Sequence, residues 1–276
     1  MVGQGVLLEC LDDNRIIEVL LINRSPVGIK HPKIKEIIHK DLTDLSAIQH
    51  DLKNYHACFH CMGVSSAGMK EEQYYSLTYT VTESLVNATY ENDSKLTFIY
   101  VSGQGTDSTE SSRTMWSRVK GKTENLIFSK GFKDAYAFRP GMILPLRGVK
   151  SKTKLYNSIY GLMRPLCPLL KNLKSITNTE NIGKAMIDLT VNSRQKKILS
   201  GSDINEVLKN AYLVETLFTL GIVVSLTLRL IHSYSLNLQH LFDVQVKALQ
   251  NIQDGKLESY VPVLSRDEFG VIAQKT

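Results

Sequence analysis

MVGQGVLLECL (residues 1–11) carries glycines at Gly3 and Gly5 and runs directly into an apolar helical pattern. It has the form of the second half of a phosphate-binding turn and of the helix that follows such a turn. An apolar strand and further glycines belong ahead of that helix, and they do not stand before Met1. The residues that follow are arranged as if around this turn.

Beyond residue 11, short apolar runs alternate with longer amphipathic ones. EVLLIN (18–23) is expected to be a strand, IKEIIHKD a second one ending near Asp41, and ACFHC a third. Asp44 is expected to cap a helix through Leu52. Tyr74, Leu77, Val81, Leu85 and Ala88 recur at helical spacing and predict a long helix from about Lys70 to Asn92. LTFIYVSG is a strand opening into a Gly- and Ser-rich loop, SSRTMWSRVKGKTENLIF is a helix, and AYAFRPG is a strand that stops at Pro140. TNTENIGKAMIDLTV, with its Thr/Asn cap and the stripe Ile182, Met186 and Leu189, closes the domain as a helix. Strands alternating with helices predict an α/β domain with a parallel sheet covered on both faces.

Ligands of such sheets bind at the carboxyl ends of the strands. Candidate binding residues are therefore Asn23, Arg24 and Ser25 after the first visible strand, and Asp41 and Leu42 after the next. Cys61, Met62 and Gly63 follow the third, and Ser102 the fourth. Arginine at position 24 suits neutralisation of a 2′-phosphate, where an acidic residue would grip a free ribose hydroxyl, so NADP is favoured over NAD.

In order, MVGQGVLLECL, NRSPVG (23–28), KDLTDL (40–45), CMGVSS (61–66), YVSGQGTDS (100–108), VKGKTE (119–124) and FRPGMI (138–143) resemble the atypical short-chain dehydrogenase/reductase family. The likeness is greatest to the single-domain NAD(P)-binding proteins described as nucleoside-diphosphate-sugar epimerases, and it covers residues 1–208. The resemblance implies a Rossmann-like sheet, a dinucleotide site and a small-molecule substrate that the sequence does not name. In the family the turn reads T-G-x-x-G-x-x-G. Gly3 matches its last glycine, which lets the helix pack closely on the sheet, and Gly5 has no counterpart. On this comparison the sheet lacks its first strand, two sheet edges are exposed, and cofactor binding is weakened or lost. A truncated reading frame is the expected explanation, with a genuine shortened protein as the alternative.

The family's chemistry uses a serine and a Tyr-x-x-x-Lys pair, in which the lysine lowers the tyrosine pKa for proton transfer. Ser102 and Lys120 match as catalytic positions, but Trp116 stands where the tyrosine belongs, and indole donates without titrating usefully. Tyr100 is expected in the core. The resemblance thus implies a dinucleotide-binding protein impaired in ordinary turnover. Gly3, Asn23, Arg24, Ser25, Asp41, Leu42, Cys61, Met62, Gly63, Lys120 and Pro140 are its expected cofactor contacts.

Composition agrees with a folded protein: 276 residues, 43% hydrophobic and 22% charged, with net charge +6 from 33 basic and 27 acidic side chains. The basic residues are spread out, and no segment resembles a nucleic-acid module. Cys58 and Cys61 fit C-x-x-C, but on a strand residues three apart point to opposite faces, so no metal site or disulfide is expected there. The basic, apolar stretch 150–175 (KSKTKLYNSIYGLMRPLCPLLKNLKS) is expected to pack on the sheet, with a substrate lid or a membrane-touching segment as alternatives.

The composition changes near Ala211. TLFTLGIVVSLTL (216–228) carries no charge and is bordered by Glu215 and Arg229, which predicts a transmembrane helix over 211–233. Leu238, Leu241, Phe242, Val246, Leu249 and Ile252 continue at helical spacing to Gly255. With Leu257, Val261 and the Asp267-Glu268-x-Gly270 pattern, residues 234–276 resemble a partial HAMP linker, which implies homodimerisation through its helix. The alternative function is then a fragment of a membrane signalling protein. The inner (cytoplasmic) membrane, with the Rossmann-like domain in the cytoplasm, is the expected location; a tail that does not insert would leave the chain soluble. A spanning helix would set the two family-like parts on opposite sides of the membrane, a conflict that favours a fusion of two partial reading frames.

Overall fold

A computed structural model describes residues 1–149 and 176–254, with the side chains of 210–215 and 252 outside the description. The chain divides into two compact units, Met1–Ala211 and Tyr212–Thr276.

The first unit is α/β. Helix α1 (Val2–Asp12) leads into β1 (Val19–Asn23) and β2 (Ile34–Ile38), which pair in parallel. A 3-10 helix (Ser46–Leu52) precedes β3 (Ala57–His60). Next come α2 (Glu71–Tyr75), a π-helical segment (Ser76–Thr80) and α3 (Val81–Asn92), together filling the span expected as one long helix. β4 (Thr97–Val101), α4 (Met115–Lys130) and β5 (Asp134–Arg139) follow. The short strands β6 (Ile143–Leu144) and β7 (Thr177–Asn178) pair with each other, and α5 (Thr179–Val191) and β8 (Ile198–Ser200) complete the unit.

The strands form a two-stranded sheet, β1-β2, and a four-stranded sheet in the order β3-β4-β5-β8, with every pairing parallel. Side chains alternate between the faces as the pleat requires. Ile99, Tyr136, Phe138 and Leu199 meet Val6 and Cys10 of α1 and Ile182, Met186 and Leu189 of α5 on one face. Phe98, Tyr100 and Ala135 meet Val86 of α3 and Ile127 of α4 on the other. Both faces are covered, which is why β4 reads as a continuous apolar run after Thr97.

Glycines set the tightest approach in this packing. A Cβ at Gly5 would lie 2.5 Å from the Cβ of Thr179, and one at Gly183 would lie 2.7 Å from Glu9 Cγ, so α1 and α5 meet almost backbone to backbone. That gives Gly5 the role its sequence context did not reveal. Asn178 caps α5 as expected, accepting the Asn181 N–H at 2.7 Å.

Three local expectations are corrected. Asp44 caps no α-helix: the segment through Leu52 is 3-10, Leu45 holds its cap position, and the Asp44 carboxylate accepts the Ser46 N–H at 2.9 Å. The second strand ends at Ile38, short of Asp41. The strand β8 was missed; three residues are too few to show a period, and only pairing with β5 makes it a strand.

In the second unit the described residues up to Gln253 belong to helix α6 (Gly201–Gln253), which begins in the first unit, and Asp254 follows it in a turn. Within it Thr216–Asn251 contains a window long and apolar enough to cross a membrane, with mean hydropathy 1.5. Phe218, Leu230 and Ile231 are among its exposed apolar side chains. Segment 150–175 and the positions Gly255, Leu257, Val261, Asp267, Glu268 and Gly270 lie outside the described residues.

Candidate functional site

Helix α1 runs against the direction of the strands it covers. A Cβ on Gly3 would lie 3.3 Å from the Cβ of Cys61, so its N-terminus adjoins the residue after β3. At its other end, Lys33 Nζ, just ahead of β2, donates to the carbonyls of Leu11 and Asp13 at 2.8 Å each. The first-turn N–H groups of α1, which have no partner within the helix, thus lie beside the carboxyl end of β3 together with the positive end of the helix dipole.

At the end of β1, Asn23 Nδ2 donates to Glu36 Oε1 at 2.8 Å, and the same oxygen accepts the Val27 N–H at 2.9 Å. Glu36 thereby fixes the loop that carries Arg24 and Ser25, both exposed. Asp41 is turned back on its own loop, accepting the N–H (3.0 Å) and hydroxyl (2.6 Å) of Thr43, which hold its carboxyl below the usual range. Leu42 packs on the apolar group Leu45, Ile48, Leu52 and Ala88. Met62 is half-buried and Gly63 exposed in the loop after β3.

The densest polar cluster of the unit joins the end of β4 to helix α4. Lys120 Nζ donates to the backbone carbonyl of Ser102. The Ser102 hydroxyl, 4% exposed, donates to Glu124 Oε1 at 2.5 Å and lies 3.2 Å from the Phe138 carbonyl. Glu124 is fully buried and paired with Arg139, whose Nε donates to Oε1 at 3.0 Å and whose terminal nitrogen reaches Oε2 and Ser108 Oγ. Lys120 and Glu124 are four residues apart, so they rise from one face of α4. Burial lowers the Lys120 pKa to about 8, against the opposing pull of the Glu124 charge.

Trp116, one turn before Lys120, lies against the loop after β4. A Cβ on Gly105, whose φ is +88°, would stand 3.1 Å from the indole Cη2. Glycine is needed there on both counts. Pro140 closes the cluster from β5, its carbonyl accepting the Gln104 N–H at 2.9 Å.

The structure brings together Ser102, Lys120, Trp116 and Pro140, and separately sets Gly3 beside Cys61. Glu124 and Arg139 were missed. Their signal in the sequence was a glutamate one helical turn after Lys120 and an arginine just ahead of Pro140. Cys58 packs on the Phe98 face and Cys61 on the Ile99 face, so the C-x-x-C pair is split across the sheet. Burial pushes both thiols up to about 12. Among the described residues no cluster suited to a metal ion occurs. Tyr100 is in the core, 1% exposed, stacked at 5.4 Å on His60, which burial keeps neutral with a pKa lowered to about 4.

No family model matches the chain, and no curated protein matches it. Solved structures do. ADP-L-glycero-D-manno-heptose-6-epimerase of Helicobacter pylori is similar at 14% identity and TM-score 0.54, covering 76% of this chain and 77% of its own. L-threonine dehydrogenase of Clostridium difficile matches at 15% identity and TM-score 0.53, over 78% of each chain. The enzyme WbmF of Bordetella bronchiseptica, solved in complex with NAD+, matches at 13% identity and TM-score 0.52, over 75% of this chain and 74% of its own. At such identities the likeness concerns the fold alone: the chain has the Rossmann-like α/β fold of these epimerases and dehydrogenases.

Proposed function

We propose that residues 1–208 form a nicotinamide-dinucleotide-binding domain of the short-chain dehydrogenase/epimerase type, impaired in cofactor binding and in turnover. The observation that carries this reading is Lys120, fixed on the Ser102 carbonyl at the carboxyl edge of a parallel sheet. That edge is where such folds take nucleotides. WbmF was solved with NAD+, which supports a dinucleotide as the ligand class.

The residues present suit that group. The N-terminal N–H groups of α1 would face the pyrophosphate. The exposed guanidinium of Arg24 makes no bond among the described residues and would take the 2′-phosphate, favouring NADP. Lys120, an ammonium with donors beyond the one given to the Ser102 carbonyl, would hold the nicotinamide ribose, with Ser102 setting its position. When bound, the dinucleotide supplies a hydride donor or acceptor. Proton transfer to substrate is the missing half: Trp116 has no titrating proton, and the Ser102 hydroxyl is already spent on Glu124. We therefore expect no oxidation of NADPH with common carbonyl or sugar-nucleotide substrates. A measured turnover that disappears in Lys120→Ala would refute the impairment.

The tail is proposed to anchor the chain at the inner (cytoplasmic) membrane through 211–233, with lipid as its partner. Reporter fusions at residues 208 and 276, followed by fractionation, test this. A soluble chain refutes insertion, whereas two cytoplasmic reporters on a membrane-bound chain mean a helix lying in the interface. The HAMP-like dimerising function of 234–276 remains the alternative, and it gains no support from the parallel sheet that dominates the first unit.

A further inference from the structure

We propose that Lys120 is a nucleophilic amine that takes up small aldehydes as imines at the carboxyl edge of the sheet, a reaction that needs no dinucleotide and stands apart from the cofactor reading. Water or a neighbouring carboxylate keeps most lysines as ammonium, which has no lone pair to attack with. Lys120 has little of either. Its side chain is half-buried, its Nζ donates to the neutral backbone carbonyl of Ser102, and among the described residues no carboxylate pairs with it. Glu124, one turn further along α4, has both oxygens taken: Oε1 accepts the Ser102 hydroxyl and Arg139 Nε, and Oε2 accepts the terminal nitrogen of Arg139. Trp116, one turn back, brings a ring N–H and no anion. Burial then favours the uncharged amine, and the pKa falls to about 8.

The surroundings leave the nitrogen open to attack a carbon. The Ser102 carbonyl takes one N–H, which fixes Nζ and turns its lone pair away from that acceptor. The backbone beside Nζ is Gly103: a Cβ there would lie 3.8 Å from it, and the φ of +135° is a conformation that other residues rarely adopt. No side chain at position 103 therefore covers the nitrogen. Lys122, two residues on, provides the contrast. It is exposed, its Nζ lies 5.0 Å and 5.1 Å from the ring centroids of Tyr75 and Tyr79, and its bond to Tyr75 raises its pKa.

The reaction balances without a further reagent. The Nζ lone pair forms the C–N bond while the carbonyl pair moves to oxygen, which takes a proton from water. The nitrogen gives one proton to solvent, leaving a carbinolamine. Its hydroxyl then departs as water with a proton from solvent, and the nitrogen pair closes the C=N bond. The protonated imine keeps one N–H, which the Ser102 carbonyl can accept as it accepts that of the amine. Addition of water reverses the sequence, so uptake is reversible. The partly enclosed nitrogen suits a small aldehyde.

The whole chain in detergent, without dinucleotide, is incubated with glycolaldehyde at about pH 7.5. Imines are fixed by borohydride, and the reduced adducts at Lys120 and Lys122 are compared by peptide mass spectrometry. At that pH an ordinary lysine is about 0.1% uncharged, whereas an amine of pKa about 8 is uncharged to about a quarter. The lower nucleophilicity of a less basic amine offsets part of this gain, and the proposal expects labelling of Lys120 about tenfold or more faster than that of Lys122. The Lys120 rate should level off above about pH 8, where that of Lys122 still climbs. In concentrated urea the preference should vanish. Equal labelling of the two lysines in the folded chain overturns the proposal, as does a preference that survives in urea, which would belong to the local sequence and not to the fold. NADPH enters neither arm, so a failed cofactor titration and a failed aldehyde uptake are separate results.

Discussion

Glu124 and Arg139 form an ion pair across α4 and β5 in which the carboxylate is wholly shielded from solvent and the guanidinium side chain is 21% exposed. The pair also receives the Ser102 hydroxyl, so a single buried carboxylate ties the helix that carries Lys120 to the ends of β4 and β5. Removing one partner of such a pair strands the other without solvent, which is usually worse than never having built it.

Glu124→Ala should therefore lower stability by about 3–5 kcal/mol, seen as a shifted midpoint in chemical denaturation. Glu124→Gln, which retains an acceptor for Ser102, should lose less. A loss below about 1 kcal/mol for the alanine variant would mean that the pair is wet and weak.

Lys120 gives a pH signature with a defined sign. Burial holds its folded pKa at about 8, below the 10.5 of an ordinary lysine. Between those two values the unfolded chain binds more protons than the folded one, so this group makes stability rise with pH. Compared with Lys120→Met, the full-length protein should gain about 1–2 kcal/mol between pH 8 and pH 10. A difference between the two proteins that stays flat over that window would place the ammonium in water.

Gly121 lies within α4, where alanine would ordinarily favour the helix by about 1 kcal/mol. Here a Cβ would overlap the backbone carbonyl of Asp107, which has no freedom to swing away as a side-chain tip would. Gly121→Ala should therefore destabilise by about 3 kcal/mol or more despite its better helix propensity. A neutral or stabilising result in thermal unfolding would show that the loop 103–108 does not press on α4.

The parallel α/β plan was legible because both sheet faces are covered: β4 and β5 become apolar runs, and the helices between them keep their period. Cys58 and Cys61 were correctly separated by strand geometry alone. The Glu124–Arg139 pair was not legible, since it joins residues on different elements, and a glutamate in VKGKTE looks like any solvated helix position until β5 covers it. Gly5 was opaque for the same reason: its cause is Thr179, far along the chain. Asp44 showed the limit of capping rules, which identify a residue able to cap but not whether the turn after it winds as 3-10 or α.

Titration of the full-length chain with NADPH and NADH, followed by calorimetry or fluorescence, bears most directly on the central claim. With the sheet open between β1 and β3 and Arg24 exposed at the end of β1, the account predicts NADPH binding at about 100 µM or weaker. It also predicts NADH binding that is weaker again by about tenfold, with Arg24→Ala erasing the difference. Low-micromolar affinity would contradict the claimed impairment, and equal affinity for both dinucleotides in the unaltered chain would contradict the role given to Arg24.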